Sequence, residues 1–257
     1  MSPRDVAGQA VKCFTQGDTI GAVVEHLASE QTTEHPTTIN ALERFNVWPE
    51  VVLAVLHRTY LDFASWLRPS ATFDTCYGTC NCFDVEDEGK ILNTCTGLGH
   101  PIFFYLEAVW HAAGLHAAAL FVICSHLADG SHIAGIFGMI MAACNYADLC
   151  RYHSAPALRE SFGFPFFVTL LAVEIGVLRR GFARIVDVVG IVLATFLFAL
   201  SWQLAQFVLL THAITLSATF LLGYIPARLQ NTLHLCICTG YVDTNCTFGS
   251  HSQCECR

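Results

Sequence analysis

The stretch "SAPALRESFGFPFF", Ser154 to Phe167, sets an adjacent Arg159 and Glu160 at the mouth of an apolar run, between Pro156 and Pro165. An arginine fork suits a phosphate bidentately, and a neighbouring carboxylate can orient the fork or hold a second cation, so one chemistry for the pair is an anion clamp. The other is a helix cap, with Glu160 at the positive end of the helix dipole. The two prolines predict that no regular helix runs straight through, and non-helical backbone at membrane depth must be buried in protein or line an aqueous cavity. Arg151, eight residues before Arg159, is either a second cation of the same cavity or an ordinary loop arginine.

The other polar residues of the apolar region divide between similar readings. Gln203 and Gln206 are three apart, hence on one helical face beside Trp202, and interhelical hydrogen bonding suits them better than substrate contact. Glu107, Glu174 and Asp187 are each expected within about two turns of the end of an apolar run, where a carboxylate reaches polar surroundings. His111 and His116 are five apart, not the three or four that would stack them for metal binding, and no metal is expected. Of the thirteen cysteines, Cys124 and Cys144 lie in apolar runs as small hydrophobes. Cys76, Cys80, Cys82 and Cys95 cluster in "DTCYGTCNCFDVEDEGKILNTC". Their spacing lacks the paired C-x-x-C of a zinc site, so a disulfide staple, such as Cys76 with Cys95, is the expectation on an oxidising side, with zinc as the alternative.

The elements that hold these groups follow from hydropathy. A mean hydropathy of +0.49, with 54% hydrophobic and 13% charged residues, lies outside the range of a water-soluble globule and implies an all-α polytopic membrane protein. The net charge of −8 argues against a nucleic-acid partner. Residues 1–100 hold most of the acids and two amphipathic patterns, "DTIGAVVEHLASEQ" and "WPEVVLAVLHRTYLDFASWL". The second is expected to present Val51, Val52, Val55 and Leu56 on one face, lying on a membrane surface or half-buried in protein. Residues 101–225 carry five apolar spans, near 102–124, 132–147, 162–178, 185–200 and 203–225. The basic connector "RRGFAR" and Arg228 then share one side, which the positive-inside rule makes cytosolic, and residues 1–100, Arg151 and Arg159 face the other. The cysteine-rich tail, 226–257, reads as disordered and cytosolic, so its Asn245-Cys246-Thr247 sequon would carry no glycan. No signal peptide is recognisable near Met1.

"RFNVWPEVVLA", "CTGLGHP", "LRESFGFPF", "WQLAQFVLLT" and "GYI" occur in the order and approximate spacing of the dumpy-19 family of tryptophan C-mannosyltransferases, which the chain resembles over about residues 20–230. That family is similar to the GT-C class of lipid-sugar-dependent transferases. The resemblance implies a GT-C-like helical bundle in the endoplasmic reticulum membrane. It also implies transfer of mannose from dolichyl-phosphate mannose to a tryptophan of an unfolded W-x-x-W segment, with membrane lipid as surroundings and no further cofactor. It gives Arg159 the donor phosphate, Arg151 a weaker second contact, and Glu160, Gln203 and Gln206 supporting places. The family's catalytic acid precedes the matched region, so the catalytic residue is unknown here. Where the family carries Asn-His-Gly-Glu, this chain has Asn145-Tyr146-Ala147-Asp148, which puts a role for that histidine in doubt. Family members are more than twice as long, so this chain is expected to be partial and inactive alone. Two other classes predict different things: a transporter would line a path with Arg159, Glu160, Glu174 and Asp187, whereas a membrane scaffold would form no polar cavity at "LRES".

Overall fold

The computed structural model describes residues 48–67, 80–87, 90–144 and 160–248. In chain order these are α1 (Trp48–Leu67), the strands β1 (Cys80–Asp87) and β2 (Lys90–Gly97), then α2 (Pro101–Leu127), α3 (His132–Cys144), α4 (Glu160–Arg180), α5 (Ile185–Ser201), α6 (Ala205–Leu221) and α7 (Ala227–Phe248). The chain divides into two compact units within α2, between Trp110 and His111.

In the first unit α1 occupies the second amphipathic pattern, but its buried side is not the expected one. Val51, Ala54, His57 and Ala64 are buried, whereas Val52 and Leu56 are exposed. The buried face follows the 51/54/57/64 series, and Val52 and Leu56 lie to one side of it. His57 Nε2 lies 3.1 Å from the Gly99 carbonyl oxygen, to which it donates as the Nε2–H tautomer, and its ring packs at 5.0 Å on Phe104. Burial holds His57 below its ordinary value of 6.5, His100 adds to the lowering, and the Gly99 and Leu98 carbonyls oppose it. The folded form therefore favours the neutral ring, with its full contribution above the unfolded value and a loss as pH falls through the lowered folded value. Hydrogen exchange of α1 is expected to accelerate as pH drops below about 6 after correction for intrinsic rates, and His57→Gln should remove that extra dependence. An unchanged profile in the variant would assign the dependence to another group.

The cysteine cluster forms an element not anticipated from the pattern. β1 and β2 pair antiparallel, from Cys80 opposite Gly97 to Asp87 opposite Lys90. The overlooked signal is the Glu88-Gly89 pair between runs containing Phe83, Val85, Ile91 and Leu92, a glycine turn flanked by strand formers.

In the second unit, α4, α5, α6 and α7 enclose one core, with Leu170 and Val177 meeting Ile191, Phe198, Leu209, Leu216, Leu229, Leu233 and Ile237. α2 joins this group through Ala119, packed with Val168 and Ala172 of α4. Two helices, α2 and α4, are long and apolar enough to cross a membrane, and α3, α5 and α6 are shorter apolar helices. Leu193, Phe207, Leu210 and Ile214 are all more than half exposed. Large aliphatic and aromatic groups turned outward along apolar helices belong against lipid, and the described chain is that of an all-α membrane protein apart from its one hairpin.

Two expectations need correction. Pro165 does not interrupt the helix but lies inside α4. So close to the helix start it removes a single backbone bond, and the Pro165 carbonyl still accepts from Thr169 Oγ1 at 2.8 Å. The segment read as a disordered tail is helical from Ala227 to Phe248. Its mean hydropathy concealed an amphipathic stripe, Leu229, Leu233, Cys236 and Ile237, which is buried; a helix covered on one face by protein needs only that stripe. Residues 249–257 lie outside the described residues.

Close approach of α7 to α5 rests on Gly240. A Cβ there would stand 2.7 Å from the Val192 carbonyl oxygen and 2.9 Å from Thr195 Cβ. Gly240→Ala is therefore expected to destabilise the bundle by about 1–3 kcal/mol despite alanine's better helix propensity. Detergent unfolding of wild type and variant checks this, and equal or greater stability of the variant would contradict the packing.

Candidate functional site

The direction of the helices in the second unit defines two ends. Arg179 donates to the His126 carbonyl at the end of α2 and pairs with Asp129 at 2.8 Å. Arg180 pairs with Asp187 at 2.7 Å, whose carboxylate also accepts the Arg184 N–H at 2.9 Å. Arg228 opens α7, so every described arginine of this unit lies at this end. α7 then returns antiparallel to α6. Ser217 Oγ meets His234 Nε2 at 3.3 Å, and further along Tyr241 O–H reaches Gln206 Oε1 at 3.4 Å. The far part of α7 thus lies at the end opposite Arg228, not beside it as the sequence reading placed the tail.

At that opposite end α4 begins. Glu160 is its first described residue and is half-buried, while Ser161, Phe162 and Gly163 are buried. Gly163 lets α4 approach the α5–α6 turn, since a Cβ there would lie 3.0 Å from Trp202 Cβ. Trp202 in turn rests against Phe198 at 5.9 Å. The His116 ring of α2 stands 5.2 Å from Phe164, so it packs near the start of α4. The first-turn N–H groups of a helix carry a partial positive charge, which favours an anion at this position.

Arg159 immediately precedes Glu160, but it, Arg151 and the 145–148 stretch lie outside the described residues. Cys76 does too, while Cys95 is placed in β2 by its backbone. Gln203 and Gln206 are both exposed. Gln206 makes the interhelical contact to Tyr241.

Glu174 was misjudged. Its side chain is only 2% exposed, and its Oε2 lies 2.6 Å from His212 Nε2 of α6. The other oxygen, Oε1, is buried without a hydrogen-bond partner. Phe167 meets the edge of the His212 ring at 6.1 Å. The contact joins two helices that are not sequence neighbours. Its signal was a lone ionisable group in each of two apolar runs, "LLAVEIGVL" and "VLLTHAITL"; such groups in a membrane segment normally face a partner.

Comparison with known proteins adds the following. The family described as "Dpy19: Q-cell neuroblast polarisation" matches residues 12–250. The chain is 32% identical over 212 residues to the protein C-mannosyl-transferase DPY19L1 of Mus musculus, which covers 81% of this chain and 27% of that protein. Identity to the Homo sapiens protein of the same name is also 32%, over 81% of this chain and 30% of that one. The C-mannosyltransferase dpy-19 of Caenorhabditis elegans is 31% identical over 214 residues, 82% of this chain and 30% of its own. The chain therefore spans under a third of the length of these relatives.

Proposed function

Because the chain belongs to the Dpy19 family, as the match over residues 12–250 shows, we propose that it forms the donor-binding membrane core of a tryptophan C-mannosyltransferase. The donor is dolichyl-phosphate mannose and the acceptor a tryptophan in an unfolded W-x-x-W segment of a secretory protein. The core is multi-pass in the endoplasmic reticulum membrane, with the arginine-bearing end in the cytosol and the start of α4 facing the lumen.

The chemistry asks three things of the site. As the bond from mannose C1 to the phosphate oxygen breaks, negative charge grows on the phosphate. Arg159, directly before α4, and the first-turn N–H groups of that helix are suited to stabilise it. Glu160 orients the guanidinium, and Arg151 contributes a second positive charge. The oxocarbenium-like sugar then bonds to carbon of the indole ring, and a carboxylate must accept the displaced ring proton. The resemblance puts that acid upstream of the matched region.

The observation that carries the proposal is the family match running through "LRESFGFPF", supported by α4 starting at Glu160 opposite the basic connectors. A hybrid in which residues 12–250 replace the corresponding segment of the Caenorhabditis elegans relative tests it. Expressed with a W-x-x-W reporter in cells without endogenous C-mannosylation, the hybrid should yield tryptophan peptides heavier by one hexose. A well-expressed hybrid that leaves the reporter unmodified would overturn the proposal.

A further inference from the structure

Three cysteines compete for Cys95 in the region before α2, and the strand register chooses among them. Cys82 stands directly opposite Cys95, whereas Cys80 is opposite Gly97 and so lies two positions off on the same face. The register also fixes the kind of pair. Asp87 opposite Lys90 closes a two-residue connection, and the residues that close such a turn form a hydrogen-bonded pair. Hydrogen-bonded and non-hydrogen-bonded pairs alternate along an antiparallel ladder. Counting back from Asp87, the pairs at Phe83 and Val85 are hydrogen-bonded, and those at Cys82, Asp84 and Glu86 are not. Opposed residues of the second kind have Cα atoms about 4.5 Å apart, inside the roughly 4.4–6.8 Å window that a disulfide accepts. A diagonal neighbour such as Cys80 is about 7–8 Å away, beyond the reach of a bridge without backbone movement.

We propose that Cys82 and Cys95 are joined by a disulfide across the β1–β2 hairpin, because the antiparallel register sets them directly opposite each other at a non-hydrogen-bonded position. This replaces the Cys76–Cys95 pairing expected from the sequence. The two thiols lose two protons and two electrons to form the S–S bond, and a disulfide-bearing oxidant of the secretory lumen is reduced to two thiols in exchange. The inference rests on the orientation in the proposed function, under which the positive-inside rule puts residues 1–100 on the lumenal side, where that oxidant is found.

The test uses the full chain made in sealed microsomes. One sample is treated with a membrane-impermeant maleimide before lysis, and another with a permeant maleimide, followed by digestion without reduction. Wild type, Cys76→Ser and Cys80→Ser should each give the Cys82 and Cys95 peptides joined and two hydrogens lighter than the sum of the free forms. Cys82→Ser should lose the link. Retention of the link in Cys82→Ser and its loss in Cys76→Ser or Cys80→Ser would overturn the register assignment while leaving the lumenal placement standing. Both thiols free and labelled only by the permeant reagent would overturn the disulfide alone. Labelling of Cys82 and Cys95 by the impermeant reagent in intact vesicles would instead contradict the lumenal placement on which the inference rests.

Discussion

In a hybrid enzyme carrying residues 12–250, Arg159→Ala is expected to lower mannosyl transfer to a W-x-x-W peptide by at least about a hundredfold, with expression unchanged. Removing one preorganised donor from developing negative charge typically costs two to three powers of ten in turnover, and an arginine fork on a leaving phosphate is a charged case. Arg159→Lys should recover only part of the loss, because an ammonium keeps the charge but not the bidentate geometry. Glu160→Gln should have a smaller effect, since Glu160 acts through its neighbour. The loss is expected to fall on kcat more than on KM, because the phosphate charge grows only as the sugar bond breaks. Transfer by Arg159→Ala at the wild-type rate would remove Arg159 from the donor site.

The second large effect is expected at Glu174 and His212. A neutral interhelical hydrogen bond within a membrane protein contributes on average about 0.6 kcal/mol and at most about 1.7. Breaking a buried ion pair strands a charge and costs roughly 3–5 kcal/mol. Losing the 2.6 Å contact would strand a carboxyl group that is only 2% exposed, so the larger cost is the expected one. His212→Leu or Glu174→Leu alone is therefore expected to lower stability by about 3 kcal/mol. Replacing both with leucine should recover most of that, since apolar groups of similar volume need no partner. Equilibrium unfolding in mixed detergent micelles measures the four proteins as a double-mutant cycle. Single variants losing under about 1 kcal/mol would reduce the pair to an ordinary hydrogen bond.

What could be read from the sequence follows from which signals are local. Each apolar run from Pro101 to Tyr224 produced one helix, because uniform hydropathy over a dozen or more residues is a property of the run itself. The apolar run after Glu160 was legible for the same reason, and α4 covers Glu160–Arg180. Glu174 was misread because its partner lies 38 residues away on another helix, and nothing in "LLAVEIGVL" reveals that a histidine will stand opposite. α7 was missed because its stripe of Leu229, Leu233, Cys236 and Ile237 is diluted by Gln230, Asn231, Thr232 and Thr239 to near-neutral hydropathy. Burial against α5 makes the helix favourable, and that is tertiary information. The hairpin's signal is the run of strand formers on either side of Glu88-Gly89, and the closely spaced cysteines within those runs mimic ligand spacing. The cationic side chains assigned to the donor rest on the family match, with the start of α4 as their structural support.

The most direct measurement of the central claim is photo-crosslinking of the chain, in membranes, by a dolichyl-phosphate analogue bearing a photoactivatable group beside the phosphate. The account predicts that the labelled peptide contains Ser154–Phe167, that excess unlabelled dolichyl-phosphate mannose suppresses the label, and that Arg159→Ala removes it. Competable labelling confined to the opposite end, at Arg179–Arg184 or Arg228, and undiminished in Arg159→Ala, would contradict a donor-phosphate site at the start of α4.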